Sequence, residues 1–200
     1  RLAEVAREDI AKDRLLFEEA IANQPDSKVL QYYYESLVLF VDRMLKDRKI
    51  GTPSGAHLKS CPFVSCPFTG EHRRSELGVE ALIWNYEGLL QIFTASTNPQ
   101  RRETTNGFFG LMHAKKFGPL GNQIFDLLSQ GKDFLNIQKD QTIQELASLQ
   151  TTKLCQPEAG ELKPLCEAHG VAKSLSDIFK VDLKVALTFE NTKPVEGDGD

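Results

Sequence analysis

The 200-residue chain has a single tryptophan, and its longest uninterrupted apolar run is Leu37 to Val41. A bilayer-spanning helix needs about 20 apolar residues, so none is expected. Excess positive charge is also missing. A formal net charge of -4 and a pI near 5.7 argue against nucleic acid, whose phosphates favour a basic domain. The paired arginines Arg73–Arg74 and Arg101–Arg102 read as solvated surface. There is no N-x-S/T sequon, because Asn98 is followed by Pro99 and Asn191–Thr192 leads to Lys193. The four histidines, His57, His72, His113 and His169, fall in no H-E-x-x-H or G-x-S-x-G motif, and no cofactor fingerprint is present. Glu80 and Glu87 are expected on the wet face of a helix, so catalysis is not expected. A start at Arg1, with neither methionine nor an apolar leader, is expected of a cleaved mature form or of a piece of a longer chain.

What is present is helical periodicity. An apolar share of 40%, a charged share of 26% and a mean hydropathy of -0.33 place the chain among folded, water-soluble proteins. Val29, Tyr33, Leu37, Val41 and Met44 recur every three or four residues and predict a long helix from about Ser27 to Asp47, with Asp26 as its cap. Val79, Leu82, Ile83, Tyr86, Leu90 and Phe93 form a second stripe that should halt at Asn98–Pro99. The opening 25 residues are rich in helix formers. Further helices are expected from Leu120 to about Gln130, and from Asp140, as a cap, to Leu149. Residues 181–189 alternate like a strand, but a lone strand leaves its backbone unpaired, so a helix or an extended tail on the bundle is the expectation. The fold class is all-α: one irregular bundle of five to seven helices over residues 1–195, followed by an acidic, disordered tail at 196–200.

The four cysteines come in two pairs in stretches broken by proline and glycine: Cys61 with Cys66 in HLKSCPFVSCPFTGEH, and Cys155 with Cys166 around QPEAGELKPL. Zinc would use His57, Cys61, Cys66 and His72, or Cys155, Cys166 and His169. Structural zinc cysteines usually lie two to four residues apart, and these spacings fit a staple better than a knuckle. Two disulfides are therefore expected and no metal. Of the three possible connectivities, closure within each pair suits two stapled loops, whereas bonds between the pairs would constrain the unfolded chain more. Persistent disulfides imply a secreted or extracellular-surface location, because cytosolic thiols keep such pairs reduced.

Two places read as contact surfaces. Tyr32, Tyr33 and Tyr34 are consecutive on a helix and fan around it, so at least one ring should be exposed, with Tyr32 and Tyr34 as candidate anchors. In NGFFGLMHAKKFGPLG, Phe108, Phe109, His113, Lys115, Lys116 and Phe117 interleave aromatic and basic chemistry, and glycines divide the segment into movable pieces. The same residues also suit a short amphipathic helix that fills the bundle. The expected function is non-enzymatic binding of another macromolecule, a protein or cell-surface partner, without cofactor. The alternative is a carrier that holds a small apolar ligand among its phenylalanines.

Overall fold

The computed structural model describes residues 26–71, 75–96, 107–157 and 162–187. Of these residues 76% are helical and none is in a strand, as the all-α expectation requires. The chain parts into two compact units, Arg1–Leu37 and Val38–Asp200. The helix expected over the opening 25 residues and the tail at 196–200 lie outside the described residues.

The first unit contributes most of helix α1, Asp26–Leu39. Tyr32 and Tyr33 are exposed, while Tyr34 is buried. Burial, helped by the charge of Glu35, pushes the Tyr34 hydroxyl up to about 12. The buried stripe thus runs through Tyr34 where the spacing predicted Tyr33.

The second unit opens with a π-helical stretch, π1, Phe40–Gly51, and one further turn, α2, Thr52–Ser54. The path is longer than the helix expected to end near Asp47. In π1 the buried residues come at Val41 and Asp42, at Leu45 to Asp47, and at Ile50 and Gly51. Such a spacing of four to five follows from i→i+5 hydrogen bonding, of which the Thr52 N–H donating to the Asp47 carbonyl is one instance. The wider turn buries Leu45 completely and leaves the predicted Met44 half-buried. Gly55, at φ 76, closes α2 in the left-handed conformation that glycine tolerates.

Helix α3, Gly78–Thr94, buries Val79, Leu82, Tyr86, Leu90 and Phe93 as predicted, with Leu89 added and Ile83 only half-buried. It stops at the left-handed Ala95, ahead of the expected Asn98–Pro99, which falls outside the described residues. Helix α4, Gly107–Ala114, leads through Lys115–Phe117 into α5, Gly118–Ile137, which exceeds the predicted helix at both ends. Helix α6, Ile143–Ser148, is capped by Thr142 and not by Asp140: the Thr142 hydroxyl accepts from the Glu145 N–H, and the Glu145 carboxylate accepts from the Thr142 N–H. That start leaves Leu149 past the helix end and exposed, off the face it was expected to share with Ile143 and Leu146. Helix α7, Pro164–Ile178, runs on through a second π-helical stretch, π2, Phe179–Leu183, into α8, Lys184–Leu187. The ambiguous segment is therefore helical as far as Leu187.

Helix α5 packs against α3, α4 and α7, and α7 packs on π1. Phe109 stands edge-on to Phe93 at 5.9 Å between ring centres and tilted to Phe125 at 5.8 Å. Two helices cross closely at Gly131, where an added Cβ would lie 2.6 Å from Tyr86 Cζ. Tyr86 is fully buried, its hydroxyl has no hydrogen-bond partner among the described residues, and burial raises its pKa.

This crossing makes two opposite predictions. Gly131→Ala should cost about 1–3 kcal/mol by overpacking the slot. Tyr86→Phe, which removes an unsatisfied hydroxyl and keeps the ring, should be neutral or stabilising by about 1 kcal/mol. Chemical denaturation of the two variants beside the wild type measures both. A large loss in Tyr86→Phe would mean that the hydroxyl has a partner.

Candidate functional site

The first cysteine pair closes on itself. Cys61 and Cys66 are bonded, with Cα atoms 5.8 Å apart, inside a loop held to the end of π1 and α2. The His57 N–H donates to the Gly51 carbonyl at 3.1 Å, the Cys61 N–H to the His57 carbonyl at 2.9 Å, and the Cys66 N–H to the Pro53 carbonyl at 3.0 Å. Gly55 lies so close under Val64 that a Cβ there would run into the Val64 carbonyl. Beyond the loop, Glu71 accepts from Lys49 at 2.9 Å and pairs with Arg48 at 3.3 Å, which returns the chain to π1. Cys61 is fully buried.

What this anchoring presents outward is apolar. The triplet Cys-Pro-Phe occurs twice, at 61–63 and 66–68. Phe63 is 68% exposed and Phe68 72%, and Leu58 at the loop's start is 46% exposed. Composition gave no reason to expect rings to remain outside; the signal available was the repeat itself, in a stretch too rich in proline to form a helix that could bury them.

The second pair, Cys155–Cys166, is also local, with Cα atoms 5.2 Å apart. It ties a short 3₁₀ turn, Lys153–Cys155, to the first turn of α7. Cys166 is thus a buried helical residue, where a loop position was expected. Leu154 and Cys155 both have positive φ, 57° and 53°, a conformation that non-glycine residues rarely adopt. With Cys61 and Cys66 bonded to each other, the sulfurs of the conceivable zinc set are not thiolate donors.

The aromatic and basic segment divides. Phe108 and Phe109 are buried in the core, so these two of the predicted contact residues fill the bundle instead, and Tyr34 is buried too. His113 is half-buried, its ring 4.7 Å from that of Phe109 and pressed against Gly118, where a Cβ would lie 2.9 Å from the imidazole. The glycines permit these close approaches and do not act as breaks. Lys115, Lys116 and Phe117 remain exposed, at the corner between α4 and α5, and Tyr32 is exposed in the first unit.

A third place, not foreseen, is a buried charge cluster. Asp42 Oδ1 accepts from Lys180 Nζ at 2.7 Å, from Ser176 Oγ at 2.7 Å and from Lys46 Nζ at 2.9 Å. Lys46 also reaches Asp47 at 3.3 Å, and Arg43 stands 3.6 Å from both Asp42 and Asp47. Burial alone would raise the Asp42 carboxyl, but the hydrogen bonds from Lys180, Ser176 and Lys46 outweigh it and hold it down at about 2. For Asp47 burial wins over Lys46 and His57, and its carboxyl is raised. The wide turns of π1 and π2 flank the cluster and bring acid and ammonium groups to one seam. Asp42 has no solvent exposure, so the cluster joins helices and offers no open nucleophile.

No family model, curated protein or solved structure matches the chain.

The cluster predicts an acid-sensitive fold. Asp42, depressed from 3.8 to about 2, contributes stability above its unfolded pKa that is lost as pH falls through about 2. By linkage this amounts to about 2–3 kcal/mol. Asp47 acts in the opposite sense: its raised carboxyl favours the folded state on the acid side and offsets part of the loss. Asp42→Asn should cost about 3 kcal/mol near neutrality, because Lys46 and Lys180 lose their nearest carboxylate. It should also flatten the fall in stability between pH 4 and 2. Denaturant midpoints measured over that range for both proteins check this, and an unchanged acid limb in the variant would assign the sensitivity elsewhere.

Proposed function

We propose that this is a non-enzymatic binding protein, secreted or displayed at a cell surface, that engages another protein through the stapled loop Leu58–Phe68. The observation that carries this reading is the pair of phenylalanines more than two-thirds exposed on a loop closed by a disulfide. Large rings held rigidly in water lose little conformational entropy when a partner covers them, and aromatic residues dominate the energetics of protein interfaces. The partner that such exposed rings suit offers an apolar recess. Lys59, exposed beside it, adds one positive charge at the rim.

The proposed compartment rests on the two disulfides, since oxidising surroundings let such bonds persist. Among the described residues no helix is long and apolar enough to cross a membrane. The carrier alternative is the weaker reading, because Phe93, Phe109 and Phe125 pack ring against ring and are not arranged around an open chamber.

The test is a comparative pull-down from native surroundings. Phe63→Ser with Phe68→Ser should leave the thermal midpoint within a few degrees, as substitutions of exposed residues usually do. At least one partner retained by the wild type should fall about tenfold or more, the scale of losing interface hot spots. Identical retention by both proteins would overturn the assignment to the loop. Loss only on Lys115→Glu with Lys116→Glu would move the surface to the corner between α4 and α5.

A further inference from the structure

Glu80, expected on a wet helix face, has a carboxylate oxygen, Oε2, that is buried and makes no hydrogen bond among the described residues. It lines an open groove of about 290 Å³ between the first half of α3 and the end of α5, together with Ile83, Trp84, Asn136, Lys139 and Asp140. Glu80 and Trp84 are four residues apart on one helix, so they share a face. Trp84, the chain's single tryptophan, is 59% exposed.

The groove's chemistry is that of a cation receptor. An indole face attracts a positive charge through its ring quadrupole. Two carboxylates, from Glu80 and Asp140, outnumber the one ammonium, from Lys139. The groove also opens at the C-terminal end of α5, a helix of 20 residues, where the backbone dipole is negative. Glu80 Oε2, buried and without a donor among the described residues, is poorly satisfied by water, and the exposed Trp84 ring stands on the same helix face.

We propose that this groove binds a guanidinium group, specifically the arginine side chain of a peptide or protein. A planar guanidinium stacks on an indole and presents five N–H donors. The Glu80 and Asp140 carboxylates and the Asn136 side-chain oxygen are acceptors matched to them. A quaternary ammonium has no donor and leaves all three unsatisfied, while a primary ammonium is more strongly hydrated and does not stack. Ile137, 76% exposed and next to Asn136 in the chain, is not a lining residue, but it offers an apolar surface that a residue flanking an arginine would cover and that a free small cation would not use. Lys139 opposes the incoming charge and limits the affinity. The groove lies on α3 and α5, apart from the stapled loop, so the proposal stands or falls independently of the binding role assigned to that loop.

Because Trp84 is the only tryptophan, its fluorescence reports the site directly. N-acetyl-arginine amide should change the emission saturably, with tetramethylammonium and N-acetyl-lysine amide at least about tenfold weaker. N-acetyl-Arg-Leu amide should bind more tightly than ethylguanidine. Glu80→Gln should weaken arginine binding about fivefold or more with the helical circular dichroism unchanged, and Lys139→Ala should strengthen it. The absence of a saturable response to any guanidinium probe, or parity between tetramethylammonium and the arginine probe, would overturn the proposal. So would undiminished affinity in folded Glu80→Gln, and ethylguanidine binding as well as the dipeptide would exclude a side chain as the occupant.

Discussion

Asp42 accepts hydrogen bonds from Lys46 on its own helix and from Ser176 and Lys180, 134 and more residues further along the chain, and through these bonds α7 and π2 are seated on π1. A buried carboxylate is costly unless its partners are in place, so the seam between the two helices tolerates one register. A slip of one residue would put Leu175 or Asp177 in the place of Ser176 and Phe179 or Val181 in the place of Lys180, and so strip Asp42 of both donors. An apolar seam of equal area would have been indifferent to such a slip. The cluster therefore contributes specificity of alignment more than net stability.

The wide turns are what make that seam possible. A regular α-helix continuing past Val41 and Leu45 would bring Arg48 or Lys49 to the buried face next. In π1 the next buried apolar residue is Ile50, while Arg48 is exposed and Lys49 pairs with Glu71. The same widening places Asp42 and Lys46 on the inner side. π-helical stretches are poorer hydrogen-bonded structures than α-helices and persist where side-chain placement compensates them. Here the compensation is visible as an apolar row, Val41, Leu45 and Ile50, running alongside a charged one.

The all-α class, the α3 stripe and the bonding of all four cysteines were legible from spacing, whereas the choice among the three connectivities was open in the sequence and falls to the two local pairs in the fold. The change of period inside π1 was not. A stripe counted at 3.6 residues per turn assigns Met44 to the core, and only the tertiary fit to α7 reveals that the period has lengthened. The helix expected to end near Gln130 runs on to Ile137 for a similar reason: Gly131 makes room for the Tyr86 ring across the helix crossing. The aromatic segment 108–117 shows the same limit: its phenylalanines could be core or surface by composition, and the contacts of Phe109 with Phe93 and Phe125 decide it. Glu80 lay on the predicted hydrophilic side of α3, yet one of its oxygens is buried beside a groove shared with the end of α5, a non-local fact.

The first disulfide shows how stability and shape separate. Closing a loop of so few residues contributes about 2–3 kcal/mol by chain entropy, much less than a crosslink between distant loops would. What it changes more is where Phe63 and Phe68 can go. In an open loop, two rings five residues apart would be drawn onto any nearby apolar surface, since burying a phenylalanine is favourable by about 1.5–3 kcal/mol. The Cys61–Cys66 bond, the prolines that follow each cysteine and the hydrogen bond from Cys66 to Pro53 hold the loop against that collapse. The exposed rings are thus an imposed state that adds nothing to the core, and the free energy they forgo in the isolated chain would be available to the partner proposed for the loop.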